Sequence, residues 1–115
     1  MTHKGACHCG RIAFEVDGDI GTVTECNCSI CAKRGHLLWF VPREQLRLHT
    51  PESELASYTF ASGRIQHHFC PTCGCGPFSL GPDTRGAPKA AINVRCIEGI
   101  DPGTLPVRAF DGRSL

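Results

Sequence analysis

Cys70-Pro71-Thr72-Cys73-Gly74 carries two thiols on one tight turn. Proline after the first cysteine pre-sets the turn, and glycine after the second permits backbone conformations closed to other residues. Such a turn aims backbone N–H groups at the sulfurs and favours the thiolate form. Two thiolates are half of a tetrahedral zinc site. The other half is read at Cys7-His8-Cys9-Gly10, a tighter pair again followed by glycine. Joined, Cys7, Cys9, Cys70 and Cys73 make a closed four-cysteine site that ties the N-terminal strand to the middle of the chain. His8, flanked by two sulfurs, is expected to be outcompeted for a soft site.

A third cluster, Cys26-Asn27-Cys28-Ser29-Ile30-Cys31, places three sulfurs within one short segment. Three ligands so close grip one face of a tetrahedron and leave the fourth position to water, a substrate thiol or a remote side chain. An open position marks a reactive zinc, whereas a fourth protein ligand makes the site structural. Cys75 and Cys96 are the candidates for that fourth ligand. Each has two other readings, as a resolving thiol or as a small buried residue. His67 and His68 precede Cys70 on a strand, whose alternation puts them on opposite faces. They read as core or supporting residues, not as ligands or bases.

Nine cysteines in 115 residues is an odd number, poorly suited to a complete disulfide framework. Cysteines one residue apart are also awkward to bridge to each other. The first residues show no basic stretch followed by an apolar one, so the expected location is cytoplasmic, where paired cysteines read as metal ligands. Charged residues make up 20% of the chain and the formal net charge is +1. No basic block or acidic tail stands out, which gives no support to a nucleic-acid partner or a membrane surface. The longest apolar run, Leu37 to Val41, is too short to span a bilayer. Seven thiolates against two divalent ions would move the formal charge from +1 to about −2. Arg11, Lys33, Arg34 and Arg64 lie near these clusters in sequence.

Length suits one domain, residues 1–115, with a modest core and a small stability margin that a metal bound only by the folded state would enlarge. Arg11 to Val16 alternates, placing Ile12, Phe14 and Val16 on one face of a half-buried strand. Asp17-Gly18-Asp19 turns the chain, and Val23 to Glu25 begins the next strand. Ser29 to Arg34 suits one helical turn ended by Gly35. His36 to Val41 reads as a buried strand, followed by a brief helical turn that starts at Pro42. Ser57 to Phe60, Arg64 to Phe69, Ala90 to Val94 and Pro106 to Phe110 read as further strands. Thr50 to Glu54 and Gly81 to Pro88 read as loops. Short strands punctuated by glycine and proline predict a mainly β fold: a small metal-stapled sheet with short helical turns.

The order CxCG, CxCSxC and HxFCPxCG, carried by Cys7 to Gly10, Cys26 to Cys31 and His68 to Gly74, resembles the glutathione-dependent formaldehyde-activating enzyme family. That family also includes the zinc domain of centromere protein V. The likeness runs from Cys7 to about Phe110. It implies a mainly β zinc fold, a structural zinc on Cys7, Cys9, Cys70 and Cys73, and a second, catalytic zinc on Cys26, Cys28 and Cys31. It implies a carbon–sulfur lyase, a synthase of S-(hydroxymethyl)glutathione, with glutathione as co-substrate. The expected partners are thus a small thiol and a small aldehyde such as formaldehyde. Arg34, Lys33 and Arg64 are candidates for glutathione's carboxylates.

Three electron-rich thiolates make a zinc better suited to carrying an exchangeable thiol than to polarising a carbonyl. Coordination would ionise that thiol at neutral pH, ready to add to an aldehyde. No Ser, His and Asp arrangement offers another catalytic apparatus. The rival is a non-catalytic zinc module with both metals closed, acting through partner binding or as a thiol or metal buffer. A redox role for Cys70 and Cys73 lacks the flanking βαβ pattern that would support it.

Overall fold

The computed structural model describes residues 1–114. Ten strands and one turn of α-helix follow in the order β1 (Thr2–Ala6), β2 (Ala13–Asp17), β3 (Val23–Cys26), α1 (Cys31–Arg34), β4 (Leu38–Pro42), β5 (Leu46–Leu48), β6 (Ala56–Tyr58), β7 (Gln66–Phe69), β8 (Phe78–Pro82), β9 (Pro88–Asn93) and β10 (Val107–Phe110). They form a three-stranded sheet, β1-β2-β5, and a seven-stranded sheet, β10-β3-β4-β9-β8-β7-β6. Every pairing is antiparallel except β10 on β3, which is parallel, with Phe110 opposite Cys26. The expected mainly β class is what the chain adopts. No helix of the described residues is long and apolar enough to cross a membrane.

The core lies between the two sheets. Ile12, Phe14 and Val16 are fully buried, as their alternation predicts, and they meet Trp39, Val41, Phe78, Ala90 and Ile92 of the larger sheet. The Phe14 and Phe78 rings meet edge to face across the layers at 5.6 Å and 82°, a favoured aromatic geometry. Gly5 on β1 pairs with Phe14 and leaves room for its ring, which any added Cβ would strike.

Expectation and structure part in three places. The run 36–41 is not buried throughout: β4 alternates, with Trp39 and Val41 in the core and Phe40 54% exposed. The larger sheet has only one face covered by the smaller, so the other face of β4 is left to a cavity. The loop expected over 81–88 is shorter, confined to residues 83–87, since β8 runs to Pro82 and β9 starts at Pro88. The two prolines face each other as the last pair before the turn of this hairpin, where a missing N–H costs little. Finally, β1, β5 and β8 escape a reading by hydrophobic pattern. On β1 only Gly5 is buried, and β5 is three residues long.

The helical turn is as expected. Lys33 and Arg34 occupy its last turn and Gly35, at φ 70°, closes it in the left-handed region. Its role is local: it returns the chain so that Cys31 faces Cys26 and Cys28.

Candidate functional site

Four sulfurs meet between the sheets. Cys7 and Cys9 stand on the turn joining β1 to β2, Cys70 and Cys73 on the turn after β7, and their sulfur atoms all lie within 4.8 Å of one another. Cys9 is 3.7 Å from Cys7 and 3.6 Å from Cys70, sulfur to sulfur. The two turns are built alike. Gly10 and Gly74 each follow the second cysteine at φ 83°, a conformation that glycine adopts without strain. Gly10 donates its N–H to the Cys7 carbonyl and Gly74 to the Cys70 carbonyl. Ile12 N–H points at the Cys7 sulfur at 3.3 Å, and Thr72 and Cys73 N–H point at the Cys70 sulfur at 3.3 and 3.4 Å. Arg11 ties the turns together through a 2.9 Å bond from its guanidinium to Thr72 Oγ1.

This geometry divides the protons unevenly. The Cys73 thiol is lowered to about 5, first by the N–H of Cys75 and then by that of Cys9. Burial pushes Cys70 up, but the N–H groups of Cys73 and Thr72 outweigh it and lower the thiol. At Cys9 the Arg11 N–H acts to lower the thiol, yet burial and the Cys70 and Cys7 sulfurs carry it up to about 11. Crowded sulfurs cannot all ionise unaided, and a divalent cation replacing their shared protons resolves the conflict. The donor set therefore fits zinc or another thiophilic ion.

Cys26, Cys28 and Cys31 form the second group, again with sulfurs within 4.8 Å of one another. Cys26 ends β3, Cys28 follows on the loop, and Cys31 opens α1. Burial lifts Cys31 to about 12, with Cys28 adding to the effect. At Cys28 burial is outweighed by bonds from Cys31 and Ile30, and the thiol is lowered. This set too suits a soft metal, with three protein sulfurs.

Neither Cys75 nor Cys96 joins either group among the described residues. Cys96 lies by Cys75, Cys7 and Cys73, and its thiol rises to about 11, chiefly by burial. The Cys75 carbonyl accepts from Cys70 N–H, so the chain folds back on the first group. Both candidates for a fourth ligand of the second group thus sit with the other group. His8 is exposed and outside both.

Two hollows open onto the three-sulfur group, and among the described residues neither is lined by the four-sulfur group. An outer groove of about 540 Å³ runs past Cys28, Ser29, Lys33, Phe60 and Arg113. An inner cavity of about 200 Å³ has the three cysteines, Arg34, His36 and His67 on its wall, with Phe40, Ile65 and Phe110 among its apolar lining. His67 and His68 do face opposite ways. His67 Nδ1 meets Ser79 Oγ at 3.2 Å on the cavity side, with Phe60 stacked on its ring. His68 Nδ1 meets Ser57 Oγ at 2.8 Å, and its ring packs on Phe78. Burial lowers the pKa of both rings. His36 is lowered to about 4 by burial, with Arg34, His67 and Arg95 adding. Arg64 lines a different hollow, beside Ser62, Gly81 and Lys89.

The C-terminal segment closes over the second group. Asn27, inside the cysteine cluster, donates to Asp111 Oδ1 at 2.9 Å and accepts from Arg113 N–H at 2.9 Å. Gly112 is thereby held so near that an added Cβ would stand 2.6 Å from the Cys26 sulfur. Sequence reasoning missed Asn27, His36, Phe40, Phe60, Phe110 and Gly112. A lone glycine after an aromatic strand is the only trace that the tail leaves in the sequence.

A mainly β fold with turn-borne cysteines, one group of four sulfurs drawn from both sheets and one of three opening on two hollows, defines a class of thiolate metal-binding proteins. Within that class the chain belongs to the glutathione-dependent formaldehyde-activating enzyme family, whose model matches residues 2–107. It is also similar to a Rhodobacter sphaeroides protein of known crystal structure, a structural-genomics target. The two are 29% identical, with a TM-score of 0.78, over 91% of this chain and 99% of that one.

Proposed function

We propose that this chain is one zinc-binding domain, residues 1–115, that joins glutathione or another small thiol to a small aldehyde such as formaldehyde. It would act as a carbon–sulfur lyase of the S-(hydroxymethyl)glutathione synthase kind. Cys7, Cys9, Cys70 and Cys73 would hold a structural zinc, and Cys26, Cys28 and Cys31 a second one. The carrying observation is that the three-sulfur group lines two hollows with room for a ligand, and neither hollow is lined by the four-sulfur group. Zinc at the second group would supply a centre where an incoming thiol, with a free value of about 8.5, ionises at neutral pH.

The chain's own residues supply the rest. Lys33 and Arg113 flank the outer groove and suit the carboxylates of a tripeptide thiol. Phe60 borders both hollows and separates a place for the thiol from a place for the carbonyl. The apolar wall of the inner cavity excludes water, which competes for an aldehyde by hydrating it. In the reaction a sulfur–carbon bond forms as the carbonyl π bond opens, and the carbonyl oxygen takes up the proton the thiol gave. No oxidant is needed. Such chemistry suits the reducing, thiol-rich cytoplasm. A closed, non-catalytic module would require a fourth protein ligand at the second group, and the placement of Cys75 and Cys96 argues against one.

The test has two measurements. Metal analysis of purified protein is expected to find two equivalents of zinc, the second removed first by chelator. Adduct formation between glutathione and ¹³C-formaldehyde, followed by NMR exchange rates, is expected to exceed the uncatalysed rate. It should fall to that rate when the second zinc leaves. An uncatalysed rate in the fully loaded protein, for every thiol and aldehyde tried, refutes the enzyme reading.

A further inference from the structure

Arg34 lines the inner cavity together with His36 and His67. Its guanidinium is half-buried and lies against Gly76. A Cβ at position 76 would stand 2.7 Å from Arg34 Nη2 and 2.9 Å from His36 Cε1, so glycine is what lets these two cationic or polar groups pack side by side there. No carboxylate answers them, and the anionic groups on the same wall are the cysteine sulfurs. No Asp or Glu lines the cavity, and among the described residues Arg34 is absent from every ion pair. His67 uses Nδ1 on Ser79, which leaves Nε2 as its remaining polar atom. Burial first, then Arg34, His67 and Arg95, lower His36 to about 4, so Arg34 is the fixed positive charge of this wall. A half-buried guanidinium over an apolar cavity is a strong site for a carboxylate, since the charge-assisted bond forms where water competes weakly.

We propose that the inner cavity is an organic-anion subsite in which Arg34 holds the carboxylate of the carbonyl substrate, so that the thiol's partner is a short oxo-acid. The assignment of that partner rests on the enzyme reading above; the anion subsite itself does not. The size agrees: about 200 Å³ is room for roughly six or seven groups of water's ~30 Å³. That accommodates a short-chain acid, and a tripeptide is better suited to the larger outer groove. Arg34 and the three sulfurs line this same small cavity, which puts an acid held on Arg34 beside the sulfurs. The thiolate sulfur adds to the carbonyl carbon, the π electrons move to oxygen, and a proton completes the hydroxyl. The carboxylate stays unchanged on Arg34.

Purified, metal-loaded protein is titrated with butyrate and with the isosteric butyramide, followed by the NMR signal of Arg34 Nε–H. Butyrate is expected to bind about tenfold or more tighter and to shift that signal. Arg34→Gln is expected to erase the preference, and Arg85→Gln, on the exposed turn 83–87, to keep it. Equal binding of the two probes by the unaltered protein overturns the subsite, whether or not the variant folds. So does an Arg34→Gln protein that loses the second metal while retaining the preference, because Arg34 would then be the counter-charge of the thiolates. In the adduct assay glyoxylate is expected to react faster than acetaldehyde by about tenfold, corrected for the uncatalysed rates, and Arg34→Gln to cancel the difference. If acetaldehyde keeps pace, the oxo-acid assignment fails and the enzyme reading stands. If butyrate binds at Arg34 and no thiol–carbonyl pair is accelerated, the enzyme reading fails together with the oxo-acid, and only the anion site remains.

Discussion

The two sulfur groups use the same local device and serve opposite ends. In both, backbone N–H groups of a turn converge on cysteine sulfur. The four-sulfur group draws one turn from the smaller sheet and one from the larger, so whatever ion it holds joins the layers of the core. Cys7 and Cys70 are buried there. The three-sulfur group is contained in one short segment of chain and joins nothing distant. Its cysteines are only half-buried, and they wall two hollows. Long-range ligation would therefore stabilise, and short-range ligation would leave a metal face free for other work.

The sharpest way to break this contrast is to remove one sulfur from each group. A metal bound only by the folded state contributes on the order of 10–16 kcal/mol in small zinc folds, against a net stability of roughly 5–15 kcal/mol for a domain. Cys70→Ser is therefore expected to leave the chain unfolded at 25 °C, by loss of far-UV structure and of a cooperative melt. Cys28→Ser is expected to melt cooperatively within a few degrees of the parent. It should lose at least the ~100-fold in adduct formation or metal affinity that disturbing even a supporting residue costs. If Cys28→Ser also unfolds, the second group is structural and the contrast fails.

Gly112→Ala probes the tail that lies over the second group. The new methyl would stand 2.6 Å from the Cys26 sulfur and 3.2 Å from Cys28 Cβ, an overpacking of about 1–3 kcal/mol. Either the tail lifts, losing its bonds to Asn27, or the cysteines shift. Both outcomes weaken the second metal by about tenfold in chelator competition and leave the first metal's affinity unchanged. Equal loss at both metals would mean that the two groups are mechanically coupled.

Much of this was legible in the residues, and what was not has a physical reason. The cysteine spacing reports which sulfurs share a turn, because a tight turn is a local event, and the structure brings them into the two groups. Alternation at Ile12, Phe14 and Val16 likewise reports a half-buried strand. The cavity is a different matter. Its wall takes Phe40 from β4, Phe60 from the turn before β7, Phe110 from β10 and Arg34 from α1, and only the completed sheet brings these together. Phe40 was expected inside because a run of apolar residues does not say which face will be covered. Cys75 adjoins one cluster in sequence, but no sequence rule said which group either it or Cys96 would lie against.

A smaller effect separates the hydrated surface from the inner cavity by pH. His36 in the folded chain sits at about 4, mainly through burial, against an ordinary value near 6.5. Above about 6.5 the ring is neutral in both states and contributes nothing to the pH dependence. As pH falls below 6.5 the unfolded chain takes up a proton that the folded chain refuses, so stability drops until about pH 4. With the ring only partly buried, the loss is discounted to roughly 1–2 kcal/mol. His36→Gln should remove that portion of the acid slope, read as a smaller difference in melting temperature between pH 7.5 and pH 4.5. An unchanged slope would show that the acid loss belongs to other groups, the buried His67 and His68 and the cysteine clusters among them.

The smallest effect tests what holds the two turns of the four-sulfur group. Arg11 bonds Thr72 Oγ1 at 2.9 Å and approaches Glu54 at 3.7 Å, which makes it the one side-chain tie between the turns, apart from the sulfurs, among the described residues. Arg11 is 41% exposed, Thr72 is exposed and the neighbouring Glu54 is 45% exposed, so the tie should be worth no more than about 1 kcal/mol, its ionic part weakening with salt. Arg11→Gln is expected to lower the melting temperature by a few degrees at low salt and by less at about 1 M. Retention of the first metal against chelator should not change. If retention falls with the melting temperature, the turns need a side-chain brace before four sulfurs can meet. If it holds, the sulfurs and the backbone N–H groups that point at them are sufficient, and the closed group owes its rigidity to the two glycine-ended turns alone.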